Sequence, residues 1–113
     1  MLNSMNLQGR LATEPKLKTT NERERSVTFS LAVERSDGSK KTDFFNCISF
    51  GSTAKFIADR LHKGNAILLQ GRLETEEYTN SEGRPQRRVV IVGEKVYFIA
   101  NSPRAPDKAA DPS

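Results

Sequence analysis

Residues 42–51, TDFFNCISFG, decide how this chain is to be read. They have the composition of a β-strand, in which successive side chains point to opposite faces. Phe44, Asn46, Ile48 and Phe50 therefore share one side, and Phe45, Cys47 and Ser49 share the other. One side faces a core, so the opposite side displays either two phenylalanines or one. With the even side outward, Phe44 and Phe50 stand exposed with the polar Asn46 between them, as a platform for flat rings would. Burial is the commoner fate of any single Phe, so the choice rests on the surrounding chain.

Upstream lies the clearest alternation in the sequence. Val27, Phe29, Leu31 and Val33 alternate with Thr28, Ser30, Ala32 and Glu34, the pattern of a half-buried strand. RSDGSKK (35–41) follows with Asp37-Gly38 at its centre, a hairpin signal. The aromatic strand thus runs antiparallel to its predecessor, and the hairpin tip carries Arg35, Lys40 and Lys41. Downstream, Ser52 to Leu61 predicts the one helix, with Ala54, Ile57, Ala58 and Leu61 on one face and Ser52 or Thr53 as cap. His62, Lys63 and Gly64 would finish it. His62 has no acidic or Cys partner at a telling spacing and reads as a helix-end residue. Phe56 points away from the apolar face, toward a loop or a subunit contact.

Working outward, NLQGRL (6–11) predicts a first strand, and its LQGRL recurs at Leu69 to Leu73 inside AILLQGRLET (66–75). Glycine within a strand marks a bulge or a tight bend, which small coiled barrels need. Arg10 and Arg72 follow those bends. Residues 12–26 read as a solvated loop broken by Pro15, in which Leu17 tucks in briefly and Lys16 and Lys18 are within reach of an anion. After Tyr78, TNSEGRP predicts a turn and RRVVIV (87–92) a return strand. Arg84, Arg87 and Arg88 then oppose Glu74, Glu76 and Glu77, so cross-strand ion pairing is expected. Residues 95–99 predict a last short strand, and 101–113 a disordered tail rich in Pro, Ala, Asp and Ser.

The whole is one domain over 1–100. Its 113 residues are 35% hydrophobic, with a net charge of +4, a pI near 9.5 and a mean hydropathy of −0.61. That balance implies a modest core, long polar segments and an acidic partner such as nucleic acid, with self-association as one way to complete the core. One cysteine permits no internal disulfide. No run approaches a membrane span and no leader pattern opens the chain, so a soluble, cytoplasmic protein is expected. One His, one Cys, no metal-ligand spacing and no phosphate-cradling loop argue against an enzyme, a metal site or a cofactor.

Five short strands with one helix between the third and fourth match the mainly β OB-fold, a Greek-key barrel that binds oligonucleotides. Over Asn6 to Phe98 the chain also resembles the bacterial-type single-stranded DNA-binding proteins. The resemblance is carried by LQGRL, EPKLK, VTFSLAV, DFFNCISFG, LHKG before the second LQGRL, and Tyr78 ahead of NSEG. It implies a nucleoid-associated homotetramer of OB-folds that wraps single-stranded DNA in replication, recombination and repair. It implies base stacking on Phe44, Phe50 and Tyr78, with the even side of the aromatic strand toward DNA. The backbone contacts expected beside them are Arg10, Lys16, Lys18, Arg35, Lys40, Lys41, Asn46, Arg72, Arg84, Arg87 and Arg88. The chain departs from the family in three places. It has no tryptophan, which reduces stacking area. ETEE (74–77) stands where relatives are often basic, which argues against phosphate contacts on that arm. The end, KAADPS, lacks the acidic Pro-Phe tip that recruits replication and repair proteins, as a phage- or plasmid-borne form or a trimmed end would. The alternative reading is an OB-fold primosomal-type accessory protein acting mainly through protein contacts.

Overall fold

The computed structural model describes residues 1–19 and 25–100; the tail expected over 101–113 lies outside them. Six strands and one helix are formed: β1 (Met5–Leu11), β2 (Lys16–Thr19), β3 (Arg25–Glu34), β4 (Thr42–Phe50), α1 (Gly51–Arg60), β5 (Ala66–Thr79) and β6 (Pro85–Ala100). The pairings run β1-β5-β6-β4-β3, and β3 pairs back onto β1 through Arg10↔Ala32 and Leu11↔Leu31. Five strands therefore close a ring, with β2 added outside β3, and the architecture is an OB-fold.

The core follows from alternation. Val27, Phe29 and Leu31 of β3 face Cys47 of β4, Ile67 and Leu69 of β5 and Ile91 of β6, all buried. Helix α1 packs against β3, β4 and β6 and sends Ala54 and Ile57 into the same cluster. Gly51, at φ +62°, lets the chain swing from β4 straight into α1. Neither Ser52 nor Thr53 caps this helix. The N-cap is Phe50, which offers no side-chain acceptor, and Thr53 Oγ1 instead donates to the Glu94 carbonyl at 3.2 Å.

Other expectations are corrected as well. Residues 16–19 are not loop but β2, paired in register with β3 (Lys16↔Thr28, Lys18↔Ser26). Leu17 does not tuck in, since every β2 residue is exposed. The expected strands at 87–92 and 95–99 are one continuous β6, which pairs with β5 along its whole length. An irregularity between Gln70 and Gly71 absorbs the bend between its two halves.

Gly71 is the tightest point of this hairpin. A Cβ added there would sit 1.9 Å from the Val92 carbonyl oxygen, a backbone atom with no freedom to rotate away. Gly71→Ala is therefore expected to lower unfolding stability by about 1–3 kcal/mol, the usual cost of overpacking. A urea melt checks this, and an unchanged midpoint would mean that β6 retreats at no cost.

Candidate nucleic-acid interface

The orientation of β4 is settled by its burial. Phe45, Cys47 and Ser49 turn inward, whereas Phe44 and Phe50 are 65% and 53% exposed and Asn46 is exposed between them. β3 supplies small neighbours in register, with Ala32 opposite Phe44, Ser30 opposite Asn46, Thr28 opposite Ile48 and Ser26 opposite Phe50. The rings therefore rise above a low floor. They lie six residues apart, about 20 Å along an extended strand.

Between them the surface sinks into an open groove of about 410 Å³. Asn46 and Ile48 of β4, Thr28 and Ser30 of β3, Lys16 and Lys18 of β2, and Glu76 and Arg88 of the β5–β6 hairpin all line it. Ile48 and the hydroxyl-bearing pair Thr28 and Ser30 were not singled out in the sequence. The place of Thr28 and Ser30 follows once the hairpin register is known, because each stands directly across from an outward residue of β4.

Tyr78 lies two residues beyond Glu76 on β5, opposite Gln86, and is exposed. The Arg88 guanidinium sits 4.7 Å from its ring centroid. Arg88 Nε also donates to Glu76 Oε1 at 2.6 Å.

The ten basic residues expected to contact the backbone divide into two groups. Four hold carboxylates. Arg35 makes a bidentate pair with Asp43, Nε to Oδ2 at 2.9 Å and Nη2 to Oδ1 at 3.1 Å. This contact raises the guanidinium pKa and holds the Asp43 carboxyl below the usual range. Arg72 bridges Glu74 at 2.8 Å and Glu94 at 2.6 Å, and those two hydrogen bonds raise its pKa. Arg87 reaches Glu77 at 3.4 Å, and Arg88 reaches Glu76. Two of the cross-strand pairs expected for the hairpin arm are thus present, whereas Glu74 pairs along its own strand with Arg72 and Arg84 has no carboxylate partner among the described residues. The Arg72–Glu94 pair was not expected.

The second group has no carboxylate partner among the described residues: Arg10, Lys16, Lys18, Lys40, Lys41 and Arg84. Lys16 and Lys18 stand in the groove itself. Arg10 lies one strand beyond Ala32 on the row that contains Phe44, and its Nε is enclosed without a hydrogen-bond partner. Lys40, at φ +62°, and Lys41 sit on the β3–β4 loop. Arg84 is at the hairpin tip, where its backbone N–H donates to Asn80 Oδ1. His62 reaches Glu14 Oε1 at 3.4 Å, and Glu14 also lines the groove. Among the described residues no cluster of His, Cys, Asp and Glu could hold a metal ion, and no helix is long and apolar enough to cross a membrane.

The groove and its flanking rings can be set beside known proteins. The profile of the single-strand binding protein family matches residues 2–99. The chain belongs to that family. It is 40% identical over 103 residues to a single-stranded DNA-binding protein of Fusobacterium nucleatum, covering 86% of this chain and 66% of that protein. It is 35% identical over 103 residues to single-stranded DNA-binding protein A of Bacillus subtilis, covering 88% of this chain and 60% of the relative. The chain thus spans roughly three-fifths to two-thirds of the length of these relatives. Among solved structures it matches a Plasmodium falciparum SSB complex with ssDNA. That match has a TM-score of 0.76 and 27% identity, and covers 88% of this chain and 96% of that one. Proteins of this family bind DNA and are not enzymes.

Cys47 lines the groove floor but is buried, and burial pushes its thiol up to about 12. Because the thiolate is the nucleophile, folded protein at pH 8 is expected to react with iodoacetamide roughly a hundred-fold or more slowly than a free thiol. Equal rates for folded and urea-unfolded protein would contradict the buried, inward placement of the odd side of β4.

Proposed function

We propose that this chain binds single-stranded DNA without sequence preference and protects it during replication, recombination and repair. The observation that carries the reading is the outward row of β4, where two exposed phenylalanines flank a groove lined by Lys16 and Lys18, which have no carboxylate partner among the described residues. Aromatic faces accept any base, because every base has a π-face. Phe44, Phe50 and Tyr78 stack on bases, and Asn46 donates to a base edge or phosphate from between the two phenylalanines. The unpaired cations Arg10, Lys16, Lys18, Lys40, Lys41 and Arg84 displace counterions along the backbone. Arg35, Arg72 and Arg87 contribute less, since each is already held by a carboxylate. No reaction is involved, and no cofactor is needed.

The working form is a homotetramer acting on nucleoid DNA in the cytoplasm. Support for assembly comes from the far half of β6, where Tyr97, Phe98 and Ile99 are exposed in succession. Consecutive residues of a strand point to opposite faces, so among the described residues both faces of this strand end are left about half open.

The decisive test is a titration of labelled oligo-dT by fluorescence anisotropy at two salt concentrations, with unlabelled duplex as competitor. Tight binding that duplex does not displace is expected, weakening with salt by a log–log slope near −0.7 per phosphate neutralised. Phe44→Ala, Phe50→Ala and Tyr78→Ala should each cost about 1–3 kcal/mol of binding without unfolding the protein. Equal preference for duplex would overturn the reading. Unchanged affinity in a folded Phe44/Phe50 double variant would overturn the stacking assignment.

A further inference from the structure

We propose that Arg88 is a positioning residue for Tyr78 and not a phosphate ligand; the inference rests on the single-strand reading above. The two residues occupy diagonal positions on one face of the β5–β6 hairpin, where Glu76 pairs with Arg88 and Tyr78 with Gln86. The Arg88 guanidinium lies over the Tyr78 ring at 4.7 Å from the centroid, within the distance at which a cation is drawn to a ring face. Its Nε is fixed by Glu76 Oε1 at 2.6 Å.

A planar cation held from behind by a carboxylate and stacked on a ring is constrained on both sides. It covers one face of the ring and leaves the opposite face for a base. Tyr78 stands on an exposed hairpin arm with little else to hold it, since its neighbours Glu77 and Thr79 and its cross-strand partner Gln86 are all exposed. A ring already oriented loses less freedom when a base stacks on it. Lysine replaces arginine poorly here, because its ammonium, although drawn to a ring face, has no plane to lay on it. Glu76 lines the same groove as Lys16 and Lys18, so the ion pair also masks a carboxylate that would otherwise repel phosphate.

A double-variant cycle in the full chain tests this with oligo-dT binding at several salt concentrations. Arg88→Lys keeps the charge and loses the stack. It is expected to weaken binding about three-fold, the fold equivalent of an exposed cation–π contact. The salt slope should be unchanged, and the same substitution in a Tyr78→Ala background should cost nothing further. In a Tyr97→Phe background Tyr78 is the remaining tyrosine, and Arg88→Lys should alter its emission in the free protein.

If Arg88 were a phosphate ligand, Arg88→Lys would bind like the parent, and the paired Glu76→Gln/Arg88→Gln variant would flatten the slope by about 0.7. If it merely supported the hairpin, its cost would persist without Tyr78. Either result overturns the inference and leaves the single-strand reading standing. No loss from Tyr78→Ala alone would overturn stacking at Tyr78, and this inference with it.

Discussion

The structure depends on the seam where β4 meets β6. This is the one parallel junction in the ring, and its register holds only Cys47↔Ile91 and Ile48↔Val92. Past that point Ser49 takes over. Its buried hydroxyl donates to the Gly93 carbonyl at 2.9 Å and extends the junction with a side-chain bond where the backbone ladder stops. A buried hydroxyl is costly unless bonded, so Ser49 has to face inward to meet this partner. The strand period then sends Phe44, Asn46, Ile48 and Phe50 outward. Closure of the barrel and display of the aromatics are thus one constraint seen from two sides.

Glycine serves the same seam from β6. A Cβ at Gly93 would meet Ser49 Oγ and Leu69 Cδ1, each at 2.7 Å. Gly71, paired with Gly93 across the hairpin, is tighter still, since a Cβ there would sit 1.9 Å from the Val92 carbonyl oxygen. The two glycines bring β4, β5 and β6 together where the long hairpin bends, and this bend leaves Glu76 and Arg88 on the rim of the groove. The rim is therefore placed by backbone packing, whereas the platform is placed by alternation.

Much of this was legible in the residues. The half-buried pattern of β3 and the Asp37-Gly38 loop made β4 its antiparallel partner, and the position of the helix pointed to the barrel. The parts that escaped reading share a physical cause. β2 (KLKT) buries nothing, so it shows no apolar alternation, and its strand form comes wholly from backbone bonding to β3. β6 looked like two strands because Gly93 and Glu94 interrupt its apolar run. The helix start was misread because a left-handed Gly51 turns the chain into α1, while the Thr53 hydroxyl donates to the Glu94 carbonyl and no side chain caps the helix. In the site, the aromatics could be named from period and resemblance. The groove floor could not, because Thr28 and Ser30 acquire meaning only through their register against β4.

The acidic arm ETEE argued against phosphate contacts there, and the geometry gives it a physical sense. Glu74, Glu76 and Glu77 engage Arg72, Arg88 and Arg87, so the arm is close to neutral and its guanidiniums are already occupied. Among the expected contact residues, those without a carboxylate partner among the described residues lie instead on β2, on the β3–β4 loop, at Arg10 and at the Arg84 tip. Exposed ion pairs of this kind contribute little to stability. Their consequence is directional. Below the Arg84 tip the arm offers no guanidinium free of a carboxylate, so under the proposed single-strand reading the phosphate backbone is held by the β2 lysines and the arm contributes the Tyr78 ring.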